Sequence, residues 1–258
     1  MNMAIAAGFW GLVGGSALLL GAGVGWRVQL SPRLIAAVMA IGSGVLISAV
    51  AFDLMDEAFG QGGLLPVAIG FIGGALAYTA ANVAISRHGA RHRKRSGHAE
   101  HARQPAADSK RASATGLAIA IGALLDGIPE SVVIGVSLLD GRGVSTVTVA
   151  AVFLSNVPEG LSSAAGMKQA GRSAAYVFCV WGAIALASGI AALIGNVALA
   201  GAAPEAIAAV TAVAAGAILA MLVDTMIPEA TEATHDYSGL IAAVGFLLAF
   251  ALTKSGGG

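Results

Sequence analysis

Three acidic residues lie inside long apolar stretches of this chain of 258 residues. Asp126 and Glu130 stand in the stretch LLDGIPESVVIG, and Glu159 stands in VFLSNVPEGLSS. Asp126 and Glu130 are four residues apart and share one face of a helix, as do Ser155 and Glu159. Asn156 lies beside the second pair. The two stretches together predict a site of carboxylate, amide and hydroxyl oxygens, which are suitable ligands for a divalent cation.

The cost of placing acids in an apolar segment indicates what accompanies them. A charged side chain at the centre of a bilayer costs about 2.5–3.5 kcal/mol on insertion scales. No Lys, Arg or His occurs within the apolar segments of the sequence. The acids are therefore protonated, hydrated in a cavity or bound to a cation, and three acids without a basic partner favour a cation site. The alternative is that the acids are protonated and form hydrogen bonds between helices.

A proline directly precedes Glu130 and Glu159 in each motif. Pro129 and Pro158 lack an N–H group, and each ring crowds the carbonyl one turn earlier. We therefore expect both helices to be broken, with the carbonyls of Leu125 and Leu154 facing a bound ion or water. Such irregular backbone is tolerated at membrane depth only where it lines a cavity.

The composition places these segments in a membrane. The chain is 57% hydrophobic and 11% charged, with a mean hydropathy of +0.83, which is typical of an all-α integral membrane protein. Net charge is zero, which argues against a nucleic-acid partner. Cys179, the single cysteine, is expected to be a small packing residue. The uncharged runs predict eight transmembrane helices at about 8–26, 34–52, 64–85, 116–139, 144–166, 174–199, 205–229 and 238–253.

The basic residues predict the orientation of these helices. The loops after the odd-numbered spans hold 12 of the 14 Lys and Arg residues. These loops are therefore expected to be cytoplasmic, and both termini are expected outside the plasma (inner) membrane. The hydrophilic composition of residues 86–115 predicts a disordered basic loop. This loop holds four of the five histidines. We interpret this loop as the element that sets topology, and a weak metal-collecting role is the alternative.

Two internal repeats relate the spans. With an offset of 172 residues, 44–58 aligns with 216–230, so that Gly44 matches Gly216 and Glu57 matches Glu229. With an offset of 29, 126–131 aligns with 155–160. In the predicted topology the members of each pair run in opposite directions. Inverted repeats with a site near the bilayer midplane are typical of secondary transporters.

These motifs resemble those of the ZIP family of divalent-metal transporters (Zrt/Irt-like proteins), in its bacterial branch. The resemblance covers essentially the whole chain and depends on Asp126-Gly127-Ile128-Pro129-Glu130, Ser155-Asn156-Val157-Pro158-Glu159 and Met226-Ile227-Pro228-Glu229-Ala230. The chain departs from the family at three positions. Asp126 and Gly127 stand where the family usually has a histidine and an asparagine on the fourth helix. Ser155 stands where the family has the leading ligand of the fifth helix. Loss of imidazole disfavours zinc specificity and favours Mn²⁺, Mg²⁺ or Fe²⁺ comparatively.

The resemblance implies a two-bundle fold, with spans 1, 4, 5 and 6 in one bundle and spans 2, 3, 7 and 8 in the other. It also implies a homodimer without a cofactor that moves zinc, iron or manganese toward the cytoplasm. The metal ligands are then Asp126, Glu130, Ser155, Asn156 and Glu159. We expect further acids to attract cations at the two ends of the path, namely Asp53, Asp56 and Glu57 outside and Asp224, Glu229, Glu232, His235 and Asp236 inside. For Glu57 and Glu229 the alternative is capping of helix ends.

Other functions remain open at the level of sequence. A proton-coupled transporter of a small organic solute would use the same acids as proton carriers. An enzyme is not expected, because no span holds a His or Lys base beside a serine and no His-Glu-x-x-His motif occurs. A purely structural membrane protein does not explain acids at the midplane.

Overall fold

The computed structural model describes residues 2–28, 30–86, 109–139, 143–169 and 171–256. These residues are largely helical, and none of them forms a strand. The helices are α1 (Met3–Arg27), α2 (Pro32–Ala49), α3 (Met55–Gly62), α4 (Leu64–Ile85), α5 (Ser109–Val136), α6 (Thr146–Gln169), α7 (Ala174–Leu199), α8 (Pro204–Met221), α9 (Ile227–Thr234) and α10 (Ser238–Gly256). One π-helical turn, Val50–Leu54, joins α2 to α3, and a second, Leu222–Met226, joins α8 to α9.

Six helical segments among the described residues are long and apolar enough to cross a membrane: Met3–Arg27, Pro32–Gly62, Leu64–Ile85, Ala174–Leu199, Pro204–Glu232 and Ser238–Ser255. The chain is therefore an all-α, multi-pass membrane protein. The two other long helices, α5 and α6, carry the predicted site and are on average less apolar than α1, α2, α4, α7, α8 and α10. Eight spans thus remain a prediction, of which six meet the requirements of length and composition.

The predicted loop 86–115 is only partly described. Residues 87–108 lie outside the described residues, whereas 109–115 form the first turns of α5. The prediction of disorder is therefore wrong for 109–115. Lys110, Arg111 and Ala112 have high helix propensity, and they extend α5 beyond its apolar part.

Two segments of the fold have identical element lengths. α2, its π-helical turn and α3 comprise 18, 5 and 8 residues, and so do α8, its π-helical turn and α9. Pro32 and Pro204 occupy the first position of α2 and α8, where proline is favoured because its fixed φ suits a helix start. Each element of the second segment begins 172 residues after its counterpart.

The two segments run in opposite directions. α2 packs against α9, and α3 packs against α8. Gly62, at the end of α3, lies against Ala208 near the start of α8. The beginning of each segment therefore lies beside the end of the other, which is the antiparallel arrangement of an inverted repeat.

Equivalent glycines allow equivalent close contacts in the two segments. A Cβ at Gly44 of α2 would overlap the carbonyl oxygen of Ala242 on α10. A Cβ at Gly216 of α8 would likewise overlap the carbonyl oxygen of Phe71 on α4. Backbone approach of this kind is how helices gain van der Waals contact in a lipid environment, where no hydrophobic force acts between them.

Helix contacts divide the molecule into two groups. α1 packs on α5, α6 and α7, and α5 packs on α7; we call these four helices the first group. α2 packs on α10, α4 packs on α8, and the antiparallel segments join these pairs into the second group. The groups meet where α2 packs on α6 and where α4 and α8 pack on α5. The two helices with the predicted site therefore lie at the junction.

α5 and α6 lie lengthwise along candidate spans. Gly14 of α1 faces Val152 of α6, and Gly25 faces Leu161 further along both helices. The matching order of these contacts shows that α1 and α6 run in the same direction. α5 and α7 are related in the same way, since Gly127 lies near Ser188 and Val132 near Gly195.

Candidate cation site

The helices that carry the site are continuous. Pro129 lies inside α5 and Pro158 lies inside α6, with α-helix on both sides of each proline. The expectation of broken helices is therefore wrong, because each helix tolerates the loss of one N–H donor where other helices pack around it. The Leu154 carbonyl oxygen would lie 3.5 Å from a Cβ at Gly42, so this carbonyl lies against α2.

Irregular backbone occurs elsewhere, in the two π-helical turns. These turns hold Asp53 and Asp224, one acid each. Neither turn contains a proline, but Pro228 lies four residues after Asp224 of the second turn and so lacks the N–H that would bond to the Asp224 carbonyl. π-helical turns are rare and occur frequently at functional sites.

Glu130 and Ser155 connect α5 to α6. Glu130 is 2% exposed and Ser155 is 3% exposed. The Ser155 hydroxyl lies 3.3 Å from Oε1 of Glu130 and 2.9 Å from the carbonyl oxygen of Val152, and it can donate to either acceptor. A carboxylate and a hydroxyl oxygen from two helices thus lie side by side in the interior.

Asp126 lies one turn before Glu130 on α5 and is 2% exposed. The hydroxyl of Tyr78, on α4, donates a hydrogen bond of 2.7 Å to Oδ1 of Asp126. Tyr78 is itself 2% exposed. Sequence reasoning missed this residue, although a tyrosine within an apolar span needs a partner for its hydroxyl when it is buried.

Asn156 is buried, but its amide nitrogen is directed to another helix. Nδ2 donates a hydrogen bond of 3.2 Å to the carbonyl oxygen of Gly14 on α1. The amide therefore links α6 to α1 within the first group. The carbonyl oxygen of the same side chain is its only atom with lone pairs that suit a cation.

Glu159 lies one turn after Ser155 on α6 and is half-buried, with Oε1 fully enclosed. Among the residues that the structure describes, no group of three or more His, Cys, Asp or Glu side chains is placed to hold a metal ion. The structure therefore brings Glu130 and Ser155 together but does not bring the three acids into one compact group.

The interior around the site is apolar and lacks basic groups. Among the described residues, the buried charged side chains are Asp126 and Glu130, and no Lys, Arg or His is buried. Hydroxyl groups provide the other polar atoms nearby on α5 and α6, from Ser131, Ser155, Ser162 and Ser163. Two carboxylates thus share an interior in which the described side chains provide no permanent positive charge.

The acids expected at the ends of the path have different environments. Asp53 is half-buried, forms a hydrogen bond with Thr253 and lies near Lys254. Glu57 is half-buried and accepts a hydrogen bond of 2.9 Å from Gln61. Glu229 is also half-buried. The exposed acids are Asp56, Asp224, Glu232 and Asp236. The side chain of His235 lies outside the described residues. The basic side chain of Lys254 therefore lies beside Asp53, at the end of the path that is predicted to be acidic and to face outward.

No model of a known protein family matches this chain, and no curated protein matches it significantly. The resemblance to the ZIP family therefore depends on the sequence motifs at 126–130, 155–159 and 226–230 and stays a prediction.

Proposed function

We propose that the chain is a secondary transporter of a divalent transition-metal cation, of the zinc, iron or manganese class, across the plasma membrane toward the cytoplasm. One observation carries the proposal. Glu130 is buried to 2% exposure, lies beside the Ser155 hydroxyl across the α5–α6 contact and has Asp126 one turn away. No described basic side chain is buried with these acids.

The chemistry of the site favours a cation over a structural role. Burying an ionised carboxylate is costly unless it is paired, coordinated to a metal or neutralised by a proton. Carboxylate, hydroxyl and amide oxygens are the protein groups available here, and such oxygen ligands suit Mn²⁺. Zinc instead prefers Cys and His ligands. Cys179 is exposed on α7 and is not part of the site. We therefore propose a site that is not specific for zinc.

The ZIP-like arrangement of eight spans belongs to the same proposal. α5 and α6 run lengthwise along α7 and α1, which are candidate spans, so both cross the same layer. The loops with most Lys and Arg residues then face the cytoplasm, and both termini lie outside.

Transport would follow from movement of the two helix groups against each other. The site lies on the first group, at its junction with α2, α4 and α8 of the second. The antiparallel segments of the second group have equal element lengths, and such inverted repeats allow a fixed site to open to either side in turn.

Uptake into proteoliposomes tests the proposal. Purified full-length chain is reconstituted into proteoliposomes. Its uptake of Mn²⁺, Fe²⁺, Zn²⁺, Co²⁺, Cd²⁺ and Mg²⁺ is compared with the uptake by the Glu130→Ala and Glu159→Ala variants. We expect flux of at least one of the transition metals and background flux in both variants, because each loses a carboxylate ligand. Glu205→Gln, an exposed change at the start of α8, is the control and is expected to keep wild-type flux.

Two outcomes contradict the proposal. Wild-type uptake by Glu130→Ala at equal protein density removes the site assignment. Absence of any divalent flux, together with pH-dependent uptake of an organic solute, favours the proton-coupled transporter in which the same acids carry protons.

A further inference from the structure

Tyr78 provides a polar contact between the two helix groups at the proposed site. Its hydroxyl donates a hydrogen bond of 2.7 Å to Oδ1 of Asp126. Tyr78 belongs to α4 of the second group, whereas Asp126 belongs to α5 of the first. Because both residues are 2% exposed, bulk water does not compete directly for this bond.

The ring and the hydroxyl of Tyr78 have separable roles. The ring packs in the apolar cluster that also holds Val133 of α5 and Ala215 of α8. The hydroxyl adds a directional interaction with the Asp126 carboxylate. Hydrogen bonds to charged groups are stronger than neutral ones, and they fix the orientation of the carboxylate that accepts them.

We propose that Tyr78 is a positioning residue that sets the affinity of Asp126 for the transported cation and couples this affinity to the relative position of the two helix groups. The inference rests on the proposed cation site. Groups that hydrogen-bond to metal ligands fix their geometry, and removing such a group typically weakens metal binding by about 10–100-fold. Here the orienting group stands on the other side of a junction that must move during transport.

The consequence is a site whose affinity changes with conformation. With α4 against α5, Tyr78 holds Asp126 in the orientation described above, and the cation binds tightly. When the two groups separate, the hydrogen bond is lost and the carboxylate is released from that orientation. The same movement that opens the site then also weakens it, which favours release of the ion.

Mn²⁺ binding to the purified full-length chain in micelles, followed by electron paramagnetic resonance, tests the inference. Tyr78→Phe keeps the ring and removes the hydroxyl, so we expect the thermal unfolding midpoint to change little and Mn²⁺ affinity to fall by about 10–100-fold. Tyr237→Phe is the matched control, because Tyr237 is 69% exposed and lies outside the site. Its affinity is expected to equal that of the wild type.

A double-mutant cycle distinguishes positioning from general damage. In an Asp126→Ala background the hydroxyl has no carboxylate to orient, so adding Tyr78→Phe is expected to change the residual affinity by less than about twofold. In proteoliposomes, Tyr78→Phe is expected to raise the KM for Mn²⁺ by the factor seen in binding, with a smaller change in maximal flux.

The outcomes separate this inference from the proposed function. Wild-type protein that binds no Mn²⁺ and transports none of the six divalent metals overturns both. Wild-type binding with unchanged affinity in Tyr78→Phe overturns the role of Tyr78 alone. An equal loss of affinity with and without Asp126 also overturns it, because the effect would then not pass through that carboxylate.

Discussion

Replacing Glu130 with glutamine removes one negative charge and keeps nearly the same shape. Glu130 is 2% exposed, and its Oε1 lies 3.3 Å from the Ser155 hydroxyl. Glutamine retains an oxygen at this position that can accept from Ser155. The substitution therefore isolates the charge, and we expect opposite effects on the protein with and without a metal ion.

Without metal, the variant is expected to be more stable than the wild type. A charged side chain at the centre of a bilayer costs about 2.5–3.5 kcal/mol, and protonation of the carboxyl relieves part of this cost. We therefore expect Glu130→Gln to raise the free energy of unfolding by about 1 kcal/mol, which follows the general trade-off between stability and function at such sites.

With metal, the variant is expected to lose the stabilisation that binding provides. One unit charge about 4 Å from a divalent ion contributes about 8 kcal/mol at an effective dielectric constant of 20, and desolvation offsets most of it. A net loss of about 2.7 kcal/mol weakens binding by about 100-fold. At a concentration of 100 times the wild-type Kd, Mn²⁺ then stabilises the wild type by about 2.7 kcal/mol and the variant by about 0.4 kcal/mol.

Thermal unfolding in detergent, with and without Mn²⁺, measures both effects in one experiment. Glu205→Gln is again the control, because it removes an exposed charge distant from the site in sequence. A variant that is less stable than the wild type without metal would show that Glu130 has a structural partner of greater value than its burial cost. Equal metal-induced shifts in both proteins would refute the assignment of Glu130 as a ligand.

Two other substitutions test the packing that positions the site. Gly216→Ala places a methyl group against the Phe71 carbonyl and is expected to lower the free energy of unfolding by about 1–3 kcal/mol. Gly73→Ala on α4 is the control, because its methyl group meets open space, and it is expected to be neutral or slightly stabilising. Similar effects of the two changes would contradict the close contact at Gly216. Asn156→Leu removes the hydrogen bond to Gly14 and is expected to cost about 1 kcal/mol in chemical denaturation; no loss would mean that this bond does not link α6 to α1.

The repeat of the second helix group could be predicted because small and acidic residues mark it in the sequence. Gly44 with Gly216 and Glu57 with Glu229 gave an offset of 172 residues. The element boundaries of the two segments follow the same offset. Glycine at a point of backbone contact is required by geometry, so a packing requirement that recurs leaves a recurring residue.

Other features left no local signal. Asp126 accepts a hydrogen bond from Tyr78, 48 residues away in the chain, and no periodic pattern relates the two. The position of Asn156 beside Ser155 in the sequence predicts a cation ligand but not the hydrogen bond that its amide donates to Gly14 on another helix. Hydrogen bonds between helices depend on rotation and register, which hydropathy does not determine.

The prolines show how a correct rule led to a wrong prediction. Pro129 and Pro158 each remove one N–H donor, yet α5 and α6 continue through them. Irregular turns occur instead at Val50–Leu54, which has no proline nearby, and at Leu222–Met226, which Pro228 follows. Close packing on neighbouring helices stabilises α5 and α6 around their prolines. The two π-helical turns lie in the segments that contact each other in antiparallel orientation.

The most direct measurement is the position of a bound ion. Crystals of the full chain grown with Mn²⁺ are expected to show an anomalous difference peak at the α5–α6 contact, within coordination distance of the Glu130 carboxylate and next to Ser155. Loss of the peak in Glu130→Gln crystals would agree with this placement. An ion found only at the acids of the helix ends, or no ion at saturating Mn²⁺, would contradict a cation site on these two helices.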